Sequence, residues 1–254
     1  MKIVNCIILF LFLSNLGNTQ TIINAERLIG GQDSTIYALA FSYSGTKGNS
    51  NTDQFKISPS FVLLKEKHEY KLFGAYSLLS DSDKRILESG FFHLRHNFKL
   101  TNRIKTFEFY QLQFNEVLLL SKREVYGGGI KFNLLKRDST AVDFSTGLMR
   151  EIEFLNEKEL LPDEISRTKY YRATFVKNLK WKINETVSIH NVLYYQPYLK
   201  DFNDYRLLNE FNLIVSTTKH LEFLTSLTTR YDSKPPGDLK KFDNVMSVGL
   251  NVKF

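Results

Sequence analysis

The residues best suited to chemistry are a short histidine-containing run, scattered carboxylates with arginines at matching spacing, and one glycine run. In His93-Leu94-Arg95-His96-Asn97, an extended chain puts His93, Arg95 and Asn97 on one face and Leu94, His96 and Phe98 on the other. Two histidines on a strand converge on a metal only at even spacing; His93 and His96 diverge, so no metal site is expected. Asp143, Glu151 and Glu153 share a face of a second stretch, Arg206 and Glu210 share one on a third, and Glu222 and Arg230 share one on a fourth. A carboxylate dyad could do acid–base work, but opposed charges in a confined space pair instead, because an unpaired charge away from water costs several kcal/mol. Gly127-Gly128-Gly129 lacks the Lys-Ser/Thr of a phosphate loop and reads as a bend or a close approach of a bulky neighbour. Neither Gly-x-Ser-x-Gly nor His-Glu-x-x-His occurs, so no catalytic residue, cofactor or metal is expected.

All of these residues lie on stretches with the period of a β-strand. Tyr37, Leu39, Phe41 and Tyr43 oppose Ala38, Ala40, Ser42 and Ser44. Tyr171, Ala173, Phe175, Leu179 and Trp181 oppose Arg172, Thr174, Asn178 and Lys180, with Lys177 interrupting the apolar face. In the last stretch Met246, Val248, Leu250, Val252 and Phe254 oppose Ser247, Gly249, Asn251 and Lys253. The alternation predicts strands near 35–44, 54–64, 69–79, 87–98, 104–117, 125–136, 140–153, 168–182, 186–198, 205–217, 220–232 and 244–254. These twelve run about the 9–11 residues or more that a tilted strand needs to cross a bilayer. Phe107 and Phe109 share one parity and Leu112 and Phe114 the other, which predicts a β-bulge around Tyr110-Gln111.

Spacing between strands alternates as well. The expected outer loops are 45–53, 80–86, 118–124, 154–167, 199–204 and 233–243, and the expected inner turns 65–68, 99–103, 137–139, 183–185 and 218–219. The longer connections fall mostly on one side, as in outer-membrane barrels.

Composition supports export. Met1-Lys2 and the apolar run Ile3–Leu16, followed by small and polar residues to Gln20, read as a secretory signal peptide over 1–20, with a periplasmic lead-in over 21–34 and a barrel over 35–254. Cys6 is the single cysteine and falls inside the signal, which excludes disulfide and thiol chemistry from the processed chain. Without Lys2 the chain has 33 basic residues against 27 acids, a net charge of +6. The bases are dispersed, which argues against nucleic acid as a partner.

Gly48-Asn49-Ser50-Asn51-Thr52, Gly127-Gly128-Gly129 and Arg230-Tyr231-Asp232-Ser233-Lys234-Pro235-Pro236, continuing through Lys240-Lys241-Phe242-Asp243 to the closing strand, resemble the YdiY-like salt-induced outer-membrane protein family, domain of unknown function 481. The resemblance spans roughly 35–254 and implies an outer-membrane β-barrel; the family's biochemical activity is unassigned. The ending on Phe254 resembles the signal read by the barrel-assembly machinery, with Val248, Leu250, Val252 and Phe254 as the recognised face.

The expected fold is all-β: a transmembrane antiparallel up-and-down barrel of about twelve strands in the outer membrane of a Gram-negative bacterium. Its expected partners are outer-membrane lipid and, during biogenesis, the assembly machinery and periplasmic chaperones. Arg95, Asp143, Glu151, Arg172, Arg206, Glu210, Glu222 and Arg230 are expected to form a lumen charge network that narrows or plugs the barrel. The favoured role is in envelope or osmotic stress, or as a small-solute pore. The rivals are an outer-membrane enzyme acting on lipid or surface substrates and a binding module using loops 154–167 and 233–243.

Overall fold

Strand propensity and strict alternation act together in this chain: β-branched and aromatic residues favour extended backbone, and a single apolar face per strand fixes the register. The computed structural model describes residues 35–46, 52–81 and 86–253. The expected signal peptide and lead-in, Gly48–Asn51 of the resemblance and Phe254 lie outside the described residues.

Twelve strands follow one another: β1 (Thr35–Thr46), β2 (Thr52–Lys65), β3 (His68–Asp81), β4 (Ile86–Lys99), β5 (Ile104–Asn115), β6 (Leu120–Lys136), β7 (Thr140–Leu155), β8 (Arg167–Lys182), β9 (Val187–Tyr198), β10 (Asp201–Ser216), β11 (Leu221–Asp232) and β12 (Phe242–Lys253). Each pairs antiparallel with its chain neighbours and β12 closes on β1, giving an up-and-down barrel. Closure gives each strand two neighbours, as a sheet in lipid requires. The β1–β12 seam is registered from Ala38↔Lys253 to Tyr43↔Val248.

The apolar residues face outward. Tyr37, Phe41, Phe55, Leu72, Phe92, Phe175, Leu193, Phe211, Phe223 and Leu250 are all exposed large hydrophobics, whereas Arg123, Glu151, Arg172, Asn178 and Asn212 are fully buried. This is the inverse of a soluble sandwich and the arrangement of a barrel in lipid. Longer connections, 156–166 and 233–241, lie at one end; the turns 66–67, 100–103, 137–139, 183–186 and 217–220 lie at the other.

Two details differ from the sequence reading. No bulge flips β5 at Tyr110-Gln111: its pairing with β4 runs unbroken from Lys99↔Lys105 to Ser89↔Asn115, and the register shift against β6 falls between Gln113 and Asn115. Phe107 and Phe109 therefore face the lumen while Tyr110, Leu112 and Phe114 face outward. A large aromatic need not mark the lipid face when the interior has room for it. Secondly, β6 begins at Leu120 and β10 at Asp201, so Arg123 and Asp204, expected in loops 118–124 and 199–204, stand on strands.

Candidate functional site

Inside the barrel the side chains form three layers. The outermost is ionic and is built on Glu151 of β7. Its Oε1 accepts from Arg172 Nε at 3.0 Å, and its Oε2 from Arg123 Nε at 3.0 Å and from Arg206 Nη1 at 2.9 Å; Arg123 Nη2 also donates to it. Arg206 binds Glu153 through two nitrogens, at 2.8 and 3.0 Å, and Asp232 through Nε at 3.2 Å. Arg172 reaches Asp204 at 2.8 Å. Three guanidiniums and four carboxylates thus join β6, β7, β8, β10 and β11. Glu151 is 0% exposed and Arg172 1%. Planar guanidinium forks suit such a cluster because they saturate several carboxylate oxygens at once.

Below it lies a waist of aromatic and aliphatic residues with glycines. Phe107 and Phe109 point inward from β5, and Val176, Val192, Tyr194 and Leu208 form a buried cluster on β8, β9 and β10. Gly129 and Gly127 on β6 are paired with Phe107 and Phe109. A Cβ at Gly129 would lie 2.9 Å from Cζ of Phe107 and 2.1 Å from the Thr146 carbonyl oxygen. The glycine run therefore makes room for an aromatic ring and a closely approaching strand. Between Arg95, Phe107, Gln111, Met149 and Gln196 remains a cavity of about 40 Å³, space for a few waters.

The innermost layer is polar and looser. Glu69 meets Lys71 at 3.2 Å and Lys105 at 3.4 Å, and it accepts from Asn97 Nδ2 at 3.0 Å. Lys131 meets Asp143 at 3.3 Å, Asn178 Nδ2 donates to Asp143 at 3.4 Å, and His190 Nε2 donates to Asn178 Oδ1 at 2.7 Å. Hydrogen bonds also climb towards the outer layer: His93 to Gln111 at 3.0 Å, Gln111 to Gln113 at 2.7 Å and Arg123 to Gln113 at 3.3 Å.

Of the residues singled out in the sequence, the structure brings Glu151, Glu153, Arg172 and Arg206 into one cluster. Asp143 lies in the inner layer. Arg95 donates to Asn97 at 2.9 Å and stacks 4.3 Å over the Phe107 ring. Glu210 accepts from Asn212 at 2.9 Å, Glu222 from Ser216 and Asn251 at 3.1 and 2.9 Å, and Arg230 faces Asp243 at 3.7 Å; none of these three joins the outer cluster. Sequence reasoning missed Arg123, Asp204 and Asp232 as members. Parity would have found Asp232, which shares a face with Arg230, whereas Arg123 and Asp204 needed the true strand ends. Val248, Leu250 and Val252 lie on the outward face of β12, paired with Tyr43, Phe41 and Leu39. His93 and His96 diverge: His93 faces inward, whereas His96 faces outward between His68 at 2.9 Å and Glu108 at 2.6 Å.

Above the ionic layer opens a vestibule of about 270 Å³, lined from the floor by Glu153, Arg172 and Arg206 and at the rim by Glu164, Pro235 and Pro236. Its rim is tied: Gly237 N donates to Glu164 at 2.8 and 3.0 Å, with Gly237 at φ +58°, and Lys234 Nζ donates to Asp201 at 2.6 Å.

A family model described as "Protein of unknown function, DUF481" matches residues 39–254. No curated protein matches the chain. Among solved structures, the COG4313 outer membrane channel from Pseudomonas putida F1 superposes with a TM-score of 0.55 at 10% identity, covering 92% of this chain and 100% of that one. The NanC porin gives 0.49 at 8% identity, covering 86% and 97%. The translocator domain of autotransporter NalP from Neisseria meningitidis gives 0.47 at 8%, covering 86% and 87%. The first of these likenesses establishes a shared barrel fold.

Proposed function

We propose that this chain, which belongs to the DUF481 family of proteins of unknown function, is an integral outer-membrane barrel closed at rest by its outer ionic layer, a narrow small-solute conduit that conducts only when that layer rearranges. The observation that carries the reading is Glu151, 0% exposed and held by three arginines. Such a cluster is strongly cooperative, because removing one member leaves the rest uncompensated away from water. The outward apolar surface supports residence in lipid, and the non-enzymatic reading rests on the absence of a recognised catalytic motif.

Reconstitution in planar bilayers tests it. Wild-type protein is expected to show no steady conductance, and Glu151→Gln to leak by loosening three arginines at once. Stable anion-selective current through the wild type, abolished by neutralising Arg172 or Arg206, would replace the closed barrel with an open pore. The lipid part is tested separately by Phe211→Arg on the outward face, expected to cost about 2–4 kcal/mol near the bilayer midplane in urea titration in lipid.

A second reading is favoured by the vestibule: Thr168, one of its lining residues, has a buried Oγ1 with no hydrogen-bond partner among the described residues. A small polar ligand bound there from outside would protect the 156–166 and 233–241 loops from protease.

A further inference from the structure

The outward faces of the strands differ in charge near their outer ends. On β1–β5 the charged side chains there are acidic: Asp53, accepting from Tyr43 at 2.5 Å, and Glu88, in register with outward Leu78. On β9–β12 the outward positions are Tyr195, Tyr205, Leu207, Tyr231, Phe242 and Asn244, all uncharged. On β6–β8 they are predominantly basic. Lys122, Phe154 and Arg167 form one cross-strand row, Glu124, Ile152 and Lys169 the next, and Tyr126, Arg150 and Tyr171 the third. The row beneath is Gly128, Leu148 and Ala173, where the apolar band begins.

These three rows hold four cations and one acid, Glu124, which meets Lys122 at 2.5 Å. Arg150 sits at the border of the apolar band. Its guanidinium lies 5.9 Å from the Tyr126 ring and 5.8 Å from the Tyr171 ring, and Nη1 donates to Tyr126 Oη at 2.8 Å. Arg167 lies 5.0 Å over the Phe154 ring. Rings under cations place them without neutralising them, and a cation beside hydrocarbon is costly unless an anion meets it. The patch measures roughly 10 Å across the strands and roughly 13 Å along them, wide enough for two separated phosphates.

Resting on the outer-membrane reading above, we propose that the outward β6–β8 wall binds the phosphorylated headgroup of an outer-leaflet glycolipid of the lipid A type. Arg150 and Lys169 contact one phosphate and Lys122 and Arg167 the other. The acidic β1–β5 rim repels the same headgroup, which confines the lipid to one side of the barrel. Charge complementarity and the two-phosphate span favour this occupant over a single-phosphate lipid.

The test uses the full-length barrel in phosphatidylcholine nanodiscs doped with bis-phosphorylated lipid A, dephosphorylated lipid A or phosphatidylglycerol. Lipid retained per barrel is counted by native mass spectrometry. Wild-type protein should retain lipid A, with little dephosphorylated lipid A and little phosphatidylglycerol. Arg150→Gln/Lys169→Gln should lower retention roughly thirty-fold, and Asp53→Asn on the opposite rim should not lower it. Each single substitution, checked for heat-modifiable migration, guards against misfolding of the pair. Equal retention by the double variant, indifference to the phosphates, or equal retention of phosphatidylglycerol would each overturn the proposal. If the wild-type barrel fails to insert at all, the outer-membrane reading fails; if it inserts but retains no lipid A, only the glycolipid site fails.

Discussion

The outer and inner layers of the lumen use the same chemistry at different degrees of dryness. In the outer one, Arg123, Glu151, Arg172 and Asp232 are each no more than 2% exposed, and every carboxylate oxygen of Glu151 has a guanidinium partner. In the inner one, Lys71 is nearly as buried at 5%, but Lys105 is 29% and Glu69 12% exposed, and the ion pairs are longer. An ion pair in a water-poor site cannot be replaced by solvent when it breaks, whereas one beside water can. The outer layer is therefore the part whose disruption should be felt by the whole barrel, and the apolar waist separates it from a layer that water can partly serve.

The largest expected effect is at Glu151. Glu151→Ala strands three buried arginines, and a loss of about 5 kcal/mol, the upper end for an orphaned buried pair, is expected in urea titration of the lipid-embedded protein. A loss near that of an inner-layer substitution would mean that water already reaches the outer layer and that the contrast between the layers is false.

Arg206 and Glu210 sharpen the contrast on a single strand. From spacing alone they read as equivalent members of one network. Arg206 binds Glu151, Glu153 and Asp232, while Glu210, two pleat repeats lower, accepts from Asn212. Arg206→Ala should cost about 3 kcal/mol and admit leak current, and Glu210→Ala should cost under about 1 kcal/mol. Equal losses would place both in one network after all.

Those two residues also show what was legible in the sequence. Facing follows from parity, so the twelve-strand barrel, its outward apolar surface and the alternation of loop lengths could be read directly. Partner choice could not, because it depends on the stagger between strands and on side-chain reach. Arg206 reaches past β9 and β8 to Glu151 on β7, a contact between residues 55 apart in sequence. Phe107 and Phe109 mark the second limit: outer and inner faces are told apart by hydrophobicity only where the interior is polar, and the waist is not. Arg123 and Asp204 mark a third, since strand ends carry the weakest sequence signal and both lie near them.

The inner layer supplies a smaller test. Glu69→Gln keeps the shape and removes the charge facing Lys71 and Lys105 while leaving an acceptor for Asn97. Partial hydration of Lys105 limits its share, but buried Lys71 loses its partner, so the loss should be about 2 kcal/mol, and bilayer conductance should stay silent because the outer layer is intact. A leak from this variant alone would move the closure from the outer layer to the inner one.

The smallest effect is expected at the vestibule rim, where Lys234 and Asp201 are 57% and 37% exposed. The hydrogen bond to Asp201 holds the Lys234 ammonium above the ordinary lysine range. A cationic group with a raised pKa stabilises its partner through neutral pH and stops doing so only as pH climbs through the raised value. Exposed pairs of this kind contribute little to folding, so Lys234→Ala should leave the urea midpoint unmoved. The 233–241 loop should nonetheless exchange its backbone hydrogens faster in the variant, and wild-type protein should approach that rate only at pH above the ordinary lysine range. Unchanged exchange in Lys234→Ala would show that the Gly237–Glu164 bonds hold the rim without help, leaving the Lys234 pair with no part in closing the mouth above the dry layer.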